Sequence, residues 1–219
     1  QQLTLRIESN GKRYQNYNFS FTEPWLGGKK PNAFTIAAFR SRIQDVSGST
    51  VLGKQITNGL SVSLGTRLKK PDDFFIVQAA ANYYGYKLDN FSNRYFVGTQ
   101  PLDSGKFNNL NFKITLSRNS INQPIFPTGG AKVEASLQFT PPYSLFRKDA
   151  NYDGMSIAEK YKLIEYHKWK VSIDWYQQLG KSKLVLRTAA KFGFLGTYNK
   201  KVGITPFERF QVGGNGIPS

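Results

Sequence analysis

The sequence predicts an all-β fold: an antiparallel segment of about nine strands from the wall of a transmembrane β-barrel. Three observations carry that expectation. Apolar and strongly polar residues alternate at period two through most of the chain. Several alternating segments exceed ten residues, whereas strands of soluble sheets usually have about five or six and a tilted membrane-spanning strand needs about nine to eleven. Short and long connections broadly alternate, as they do when tight periplasmic turns gather at one rim of a barrel and long extracellular loops at the other.

In chain order the strands are expected at residues 1–9, 12–24, 32–45, 55–68, 73–88, 107–119, 130–141, 167–179 and 183–198. In "LTLRI", Leu3, Leu5 and Ile7 share one face, and in "NYNFSF" Tyr17, Phe19 and Phe21 do. "LSVSLGTRL" aligns Leu60, Val62 and Leu64. "NLNFKITLS" sets Leu110, Phe112, Ile114 and Leu116 against Asn111, Lys113, Thr115 and Ser117. "KVEASLQFT" groups Val133, Ala135, Leu137 and Phe139, and "KWKVSIDWY" groups Trp169, Val171, Ile173 and Trp175 opposite Lys168, Lys170, Ser172 and Asp174. "KKPDD" and "GKS" are short links; "SGSTVLG", "DNFSNRYFVGTQPLDSGK" and residues 141–166 are expected as long polar loops. Aromatic side chains near strand ends suggest interfacial belts: Tyr14, Trp25, Phe74, Phe75, Tyr83, Tyr84, Tyr86, Trp175, Tyr176, Phe192, Phe194 and Tyr198. The polar faces suit a hydrated lumen.

Composition narrows the function. No cysteine is present, which excludes disulfides and thiolate metal sites. The formal charge of +16 comes from scattered Lys and Arg, with doublets such as Lys29-Lys30, Lys69-Lys70 and Lys200-Lys201 in apparent turns. No stretch forms a basic recognition helix, so a solvated or headgroup-facing surface is the expectation and nucleic acid is not. His167 is the only histidine, and no G-x-S-x-G, P-loop or H-E-x-x-H pattern occurs, so neither an enzyme nor a cofactor is expected. Asp149 to Gly154 approach a calcium loop, but Lys160 stands where the bidentate Glu belongs. Ser156 to Glu159 form a better capping box, opening a short helix with Ile157, Tyr161 and Ile164 on one face. The start, "QQLTLRIESNG", carries no initiator Met or leader pattern, so either a signal is removed or the chain begins inside a larger protein. An odd-numbered open sheet would leave two unpaired edges in lipid, which is the pattern of part of a wall.

Three motifs in order resemble the BamA-type outer-membrane protein assembly family, the POTRA-barrel insertases. "SFTEPWLGG" resembles its F-T-[DE]-P-[WY] turn, with Phe21, Thr22, Glu23, Pro24, Trp25, Gly27 and Gly28. "SRNSINQPIFPTGGAKVEASLQF" resembles its F-P-T-x-G stretch, with Pro124, Phe126, Pro127 and Gly129. "PFERFQVGG" resembles the run leading into its sixth extracellular loop, with Pro206, Phe207, Phe210, Gly213 and Gly214. The resemblance implies strands three to eleven of a sixteen-stranded barrel, without POTRA repeats or the terminal strands. It implies residence in the outer membrane of a Gram-negative bacterium and insertion of other barrels there without a cofactor. Its implied partners are outer-membrane lipids, unfolded outer-membrane protein clients and periplasmic-side assembly lipoproteins. The family's lumen-seeking R-G-[FY] tripeptide does not occur before Ser219. In the turns, Pro24 ends a strand, Glu23 accepts from turn amides, and Gly27-Gly28 permit positive φ, with Pro124, Pro127, Gly129 and Gly130 playing the same part in the second turn. A two-partner secretion translocator, a passive porin and a soluble glycan-binding β-sandwich are the alternatives.

Overall fold

A computed structural model describes residues 1–28, 31–91, 94–147, 151–180 and 183–210. In chain order the strands are β1 (Gln2–Asn10), β2 (Tyr14–Glu23), β3 (Asn32–Ser47), β4 (Thr50–Arg67), β5 (Phe75–Asp89), β6 (Phe96–Val97), β7 (Gln100–Pro101), β8 (Gly105–Asn119), β9 (Gly129–Phe139), β10 (His167–Gln178) and β11 (Val185–Gly196). Two single-turn helices, α1 (Tyr143–Phe146) and α2 (Ile157–Lys160), lie between β9 and β10. Nine strands make one antiparallel sheet in the order β1-β2-β3-β4-β5-β8-β9-β10-β11, and β6 pairs only with β7 inside a loop. The nine are the nine expected from alternation. Among the described residues β1 and β11 each have a partner on one side only.

The polarity of this sheet is inverted relative to a soluble sandwich. The outward rows are apolar: Leu5 is 70% exposed, Ile114 46% and Trp169 47%. The opposite rows are polar, and Asn109 and Asn111 are fully buried there. A β-sandwich would cover Leu60, Val62 and Leu64 with a second sheet, yet all three are exposed. Nor, among the described residues, is there a hydrophobic core beneath the strands. The buried apolar cluster (Leu88, Phe91, Tyr95, Leu102, Phe107, Tyr161, Ile164, Tyr166 and Val202) gathers instead at the rim carrying the long loops.

Three expectations need correction. "SGSTVLG" is not a long loop, because β3 runs to Ser47 and β4 starts at Thr50. Val46 pairs with Val51, a register shift falls between Asp45 and Val46, and Gly48 turns the chain at φ +59°. Pairing thus overrides the loop-like composition. Tyr14, Tyr84, Tyr86 and Tyr176 do not join an outward belt. Tyr83 lies in register with Leu60 and Leu110 and faces out, so alternation turns Tyr84 and Tyr86 inward. Tyr14 and Tyr176 fall on the inward rows by the same count. In the second turn, Phe126 at φ +56° and Gly130 at φ +104° take positive φ, whereas Gly129 opens β9. Pro124 and Pro127 hold their own φ near −65°, which leaves the reversal to Phe126 between them.

Other local features hold the rims. Glu23 Oε1 accepts from the Trp25 amide at 3.2 Å, and Gly27 and Gly28 turn the chain at φ +82° and +70°. At the neighbouring short turn, Arg118 donates to Asp72 at 2.9 Å and lies over Phe74 and Phe75. Ser156 and Glu159 form the capping box of α2, with Tyr161 and Ile164 buried beyond it. Of the calcium-like loop, Asp149 lies outside the described residues; Asp153 is paired with Lys201 at 2.9 Å.

If the outward rows meet lipid, Ile114→Arg or Leu137→Arg in the full-length protein costs about 2–4 kcal/mol. Lys113→Gln and Glu134→Gln, on the inward rows, change stability little. Urea unfolding in lipid vesicles checks this, and equal losses at both faces would refute the orientation.

Candidate functional site

After β11 the chain does not leave the sheet. Residues 197–210 turn back at the long-loop rim and settle on the inward face of β5, β8, β10 and β11. Local bonds start the reversal: the Val202 and Gly203 amides donate to the Asn199 carbonyl at 3.2 and 3.1 Å. Gly203 sits at φ +83°, and the Tyr161 hydroxyl donates to the Ile204 carbonyl at 3.3 Å. Thr205 and Pro206 are then buried.

Phe207 enters an aromatic cage. Its ring centroid lies 4.5 Å from Tyr95, 4.9 Å from Tyr86 and 4.9 Å from Phe107. Tilted contacts of this kind contribute about 0.5–1.5 kcal/mol each beyond burial. The cage unites two strands with the loop after β5, and it uses Tyr86 because the pleat turns that residue inward.

Glu208 supplies the directional contacts. Lys168 Nζ donates to its carboxylate at 3.0 Å and to its main-chain carbonyl at 2.7 Å. Asn109 Nδ2 donates to the other carboxylate oxygen at 3.2 Å. Phe210 lies beneath the ammonium groups of Lys168 and Lys170, 4.9 and 5.8 Å from its ring centre. The ring also rests on Gly193, where an added Cβ would come within 2.6 Å of it.

The wall beneath is a continuous polar network. Ser61 donates to Asn82 at 2.6 Å, Asn82 to Asn111 at 3.0 Å, and Asn111 to Asn109 at 3.1 Å. Gln138 donates to Asn111 at 3.1 Å and to the Tyr166 hydroxyl at 2.6 Å. Four strands and the residue preceding β10 are thereby tied to Glu208. Next to the network a polar groove of about 290 Å³ runs along Ser61, Ser63, Gln78, Lys113 and Thr115. Tyr166, just outside β10, is pushed well above the usual tyrosine pKa, first by burial and then by the Glu208 charge.

Of the residues singled out in the sequence, Pro206, Phe207 and Phe210 belong to this site, and Gly213 and Gly214 lie outside the described residues. Phe21, Thr22 and Glu23 close β2, and Pro24, Trp25, Gly27 and Gly28 form the turn to β3, at the opposite rim. Pro124, Phe126 and Pro127 occupy the β8–β9 connection at that same rim and Gly129 opens β9 there, so neither turn contributes to the site. Asn122 organises the latter, accepting from the Thr128 and Gly129 amides at 3.2 Å each. Sequence reasoning missed Glu208, Lys168, Asn109, Gln138, Tyr166 and Gly193. The one available signal was an acid between two phenylalanines in a strongly basic chain. Among the described residues no cluster of His, Asp or Glu is placed to hold a metal.

The whole constellation can hold a chain segment inside a lumen; nothing in it positions a nucleophile against a base. A family profile described as the Omp85 superfamily domain matches residues 1–217. No curated protein matches the chain. Among solved structures it is similar to the crystal structure of BamA from Haemophilus ducreyi lacking POTRA domains 1-3, with a TM-score of 0.70 and 19% identity. That match covers 98% of this chain and 38% of the other, so the likeness is one of fold over part of a longer protein.

Glu208→Gln keeps the shape of the side chain and removes the charge facing Lys168. Leaving a largely buried ammonium without its anion costs about 3 kcal/mol, so hydrogen exchange of the 202–210 amides should rise by roughly a hundredfold in the full-length protein. The same substitution should lower the Tyr166 pKa. Because the folded-state value is raised, the neutral phenol's contribution is complete below about pH 10 and is lost as pH climbs through the folded value. The carbon-13 shift of labelled Tyr166 at neutral pH reads the change in its surroundings; an unmoved resonance would remove Glu208 from them.

Proposed function

The chain belongs to the Omp85 superfamily, and from that premise we propose that it is barrel wall from an outer-membrane insertase, which folds β-barrel proteins into the outer membrane of a Gram-negative bacterium. In this reading the nine strands are strands three to eleven of a sixteen-stranded barrel. The unpaired edges of β1 and β11 are continued by further strands. The observation that carries the reading is the return of residues 202–210 onto the inner wall, fastened by Phe207 and Glu208. The fastening narrows the lumen and fixes the segment that leads into the following loop. The three motifs add support in their order and spacing.

The mechanism needs no catalysis and no cofactor. The wall supplies a rigid hydrogen-bonded surface, and the fastened segment sets where the following loop starts inside the lumen. Work on a client would rest on main-chain pairing at an exposed strand edge, where affinity comes from backbone hydrogen bonds. Clients, outer-membrane lipids and periplasmic-side lipoproteins are the partners of this reading.

Replacing the native insertase by the full-length protein in a depletion strain tests it. Phe207→Ala and Glu208→Ala should each lower heat-modifiable, correctly assembled outer-membrane barrels severalfold while leaving the protein's own level unchanged. Glu23→Gln, at the distant turn, should stay close to the parent. Normal barrel assembly together with loss of one secreted protein would instead identify a secretion translocator.

A further inference from the structure

The outward rows change character abruptly toward the long-loop rim. Phe19, Ala38, Leu60, Tyr83 and Leu110 lie in register across β2, β3, β4, β5 and β8 and form the last apolar row. The next outward row reads Tyr17, Arg40, Asn58, Gly85 and Asn108. The one above it reads Gln15, Arg42, Ile56, Lys87 and Lys106. Two rows thus bring four cations together immediately above the apolar belt. Arg40, Arg42, Lys87 and Lys106 are all exposed.

Among the described residues none of the four has a carboxylate within ion-pair distance; the nearby Asp89 is taken by Lys54 at 3.0 Å. Asp45 falls on the inward row by alternation. Arg42 reaches only the amide oxygen of Gln44, at 2.9 Å with that amide suitably turned. Lys87 and Lys106 stand directly opposite each other, a placement that destabilises a sheet unless an anion screens it. At the other rim, by contrast, the outward Arg118 is neutralised by Asp72 at 2.8 Å.

We propose that Arg40, Arg42, Lys87 and Lys106 bind the phosphorylated headgroup of a lipid in the leaflet at the long-loop rim, its acyl chains lying on the apolar rows below. Guanidinium groups grip phosphate oxygens in pairs, and ammonium groups add point charge. The patch extends from β3 to β8, three strand spacings or about 14 Å. That width suits a headgroup bearing more than one phosphate better than a singly charged one. Tyr83, whose hydroxyl donates to Asn108 at 2.8 Å, stands at the boundary between chains and headgroup. The inference rests on the outward face meeting lipid, as in the proposed function.

Native mass spectrometry of the full-length protein in micelles tests it, with bis-phosphorylated lipid A as the probe. The quadruple variant Arg40→Gln/Arg42→Gln/Lys87→Gln/Lys106→Gln should retain at least tenfold less lipid A than the parent. Lys69→Gln/Lys70→Gln, exposed at the opposite rim, should retain as much as the parent. Heat-modifiable gel mobility verifies folding, and Lys87→Gln/Lys106→Gln is the smaller variant to read if the quadruple one is not folded. Retention unchanged by the variants, or equal retention of phosphatidylglycerol, overturns the proposal, as does displacement of lipid A by millimolar pyrophosphate, which would make the patch a site for free phosphate. A protein that stays monomeric without detergent would overturn the barrel reading itself, a different outcome from unchanged lipid retention in micelles.

Discussion

In hydrocarbon a backbone N–H or C=O without a partner costs several kcal/mol, and no water is at hand to supply one. The rest of this structure follows from that constraint. Hydrogen bonding is handed from strand to strand from β1 to β11, and the one register shift among the described residues, at Asp45 and Val46, lies beyond the apolar rows. There water reaches the backbone and the irregularity is cheap. Because the ladder is uninterrupted, the pleat assigns every side chain to lipid or lumen with no freedom to compromise. Tyr83 outside and Tyr84 inside are neighbours in sequence and belong to different solvents.

Inverting the polarity removes the usual source of cohesion. The apolar rows lose nothing by staying uncovered in lipid, so hydrophobic burial does not press the lumenal side chains together. Hydrogen bonds do that instead, and they are demanding: a buried polar group left without a partner costs about 1–3 kcal/mol. Asn109 shows how closely the network is used. Its oxygen accepts from Asn111, while its amide nitrogen serves both Tyr166 and Glu208. Phe207 adds adhesion with little direction, and Glu208 adds direction at the cost of desolvating a charge. Together they hold the returning segment in one position.

Nine strands were legible because the bilayer imposes alternation on each of them independently, and no long-range information is needed to see it. The failures lie where long-range information decides. The run around Gly48 has the composition of a loop, but Val46 and Val51 find each other across the turn and extend the ladder. Tyr84 and Tyr86 could be placed only by counting from Tyr83 once its register with Leu60 and Leu110 was known. Phe207 and Phe210 stood out as motif members, whereas Glu208 has no periodic neighbours. Its partners Lys168 and Asn109 lie 40 and 99 residues away. A one-dimensional pattern cannot reveal a contact of that kind.

The distribution of charge explains which side of the lumen the returning segment takes. The inward rows of β1 to β5 are neutral in sum: Arg6 is paired with Glu8, and the one further cation, Arg67, is matched in number by Asp45. Those of β8 to β11 carry Lys113, Lys132, Lys168, Lys170, Lys191 and Arg187 against Glu134 and Asp174, and the last is already bonded to Arg187 at 2.7 Å. An acidic side chain entering this space is therefore drawn toward β8–β11 before any specific bond forms. Charge alone would not choose among the lysines, since Lys113 and Lys168 sit on one row with Gln138 between them. The choice falls to Lys168 because it alone also meets the Glu208 carbonyl, at 2.7 Å, while Asn109 holds the opposite carboxylate oxygen. Electrostatics selects the half of the lumen, and hydrogen-bond geometry selects the residue.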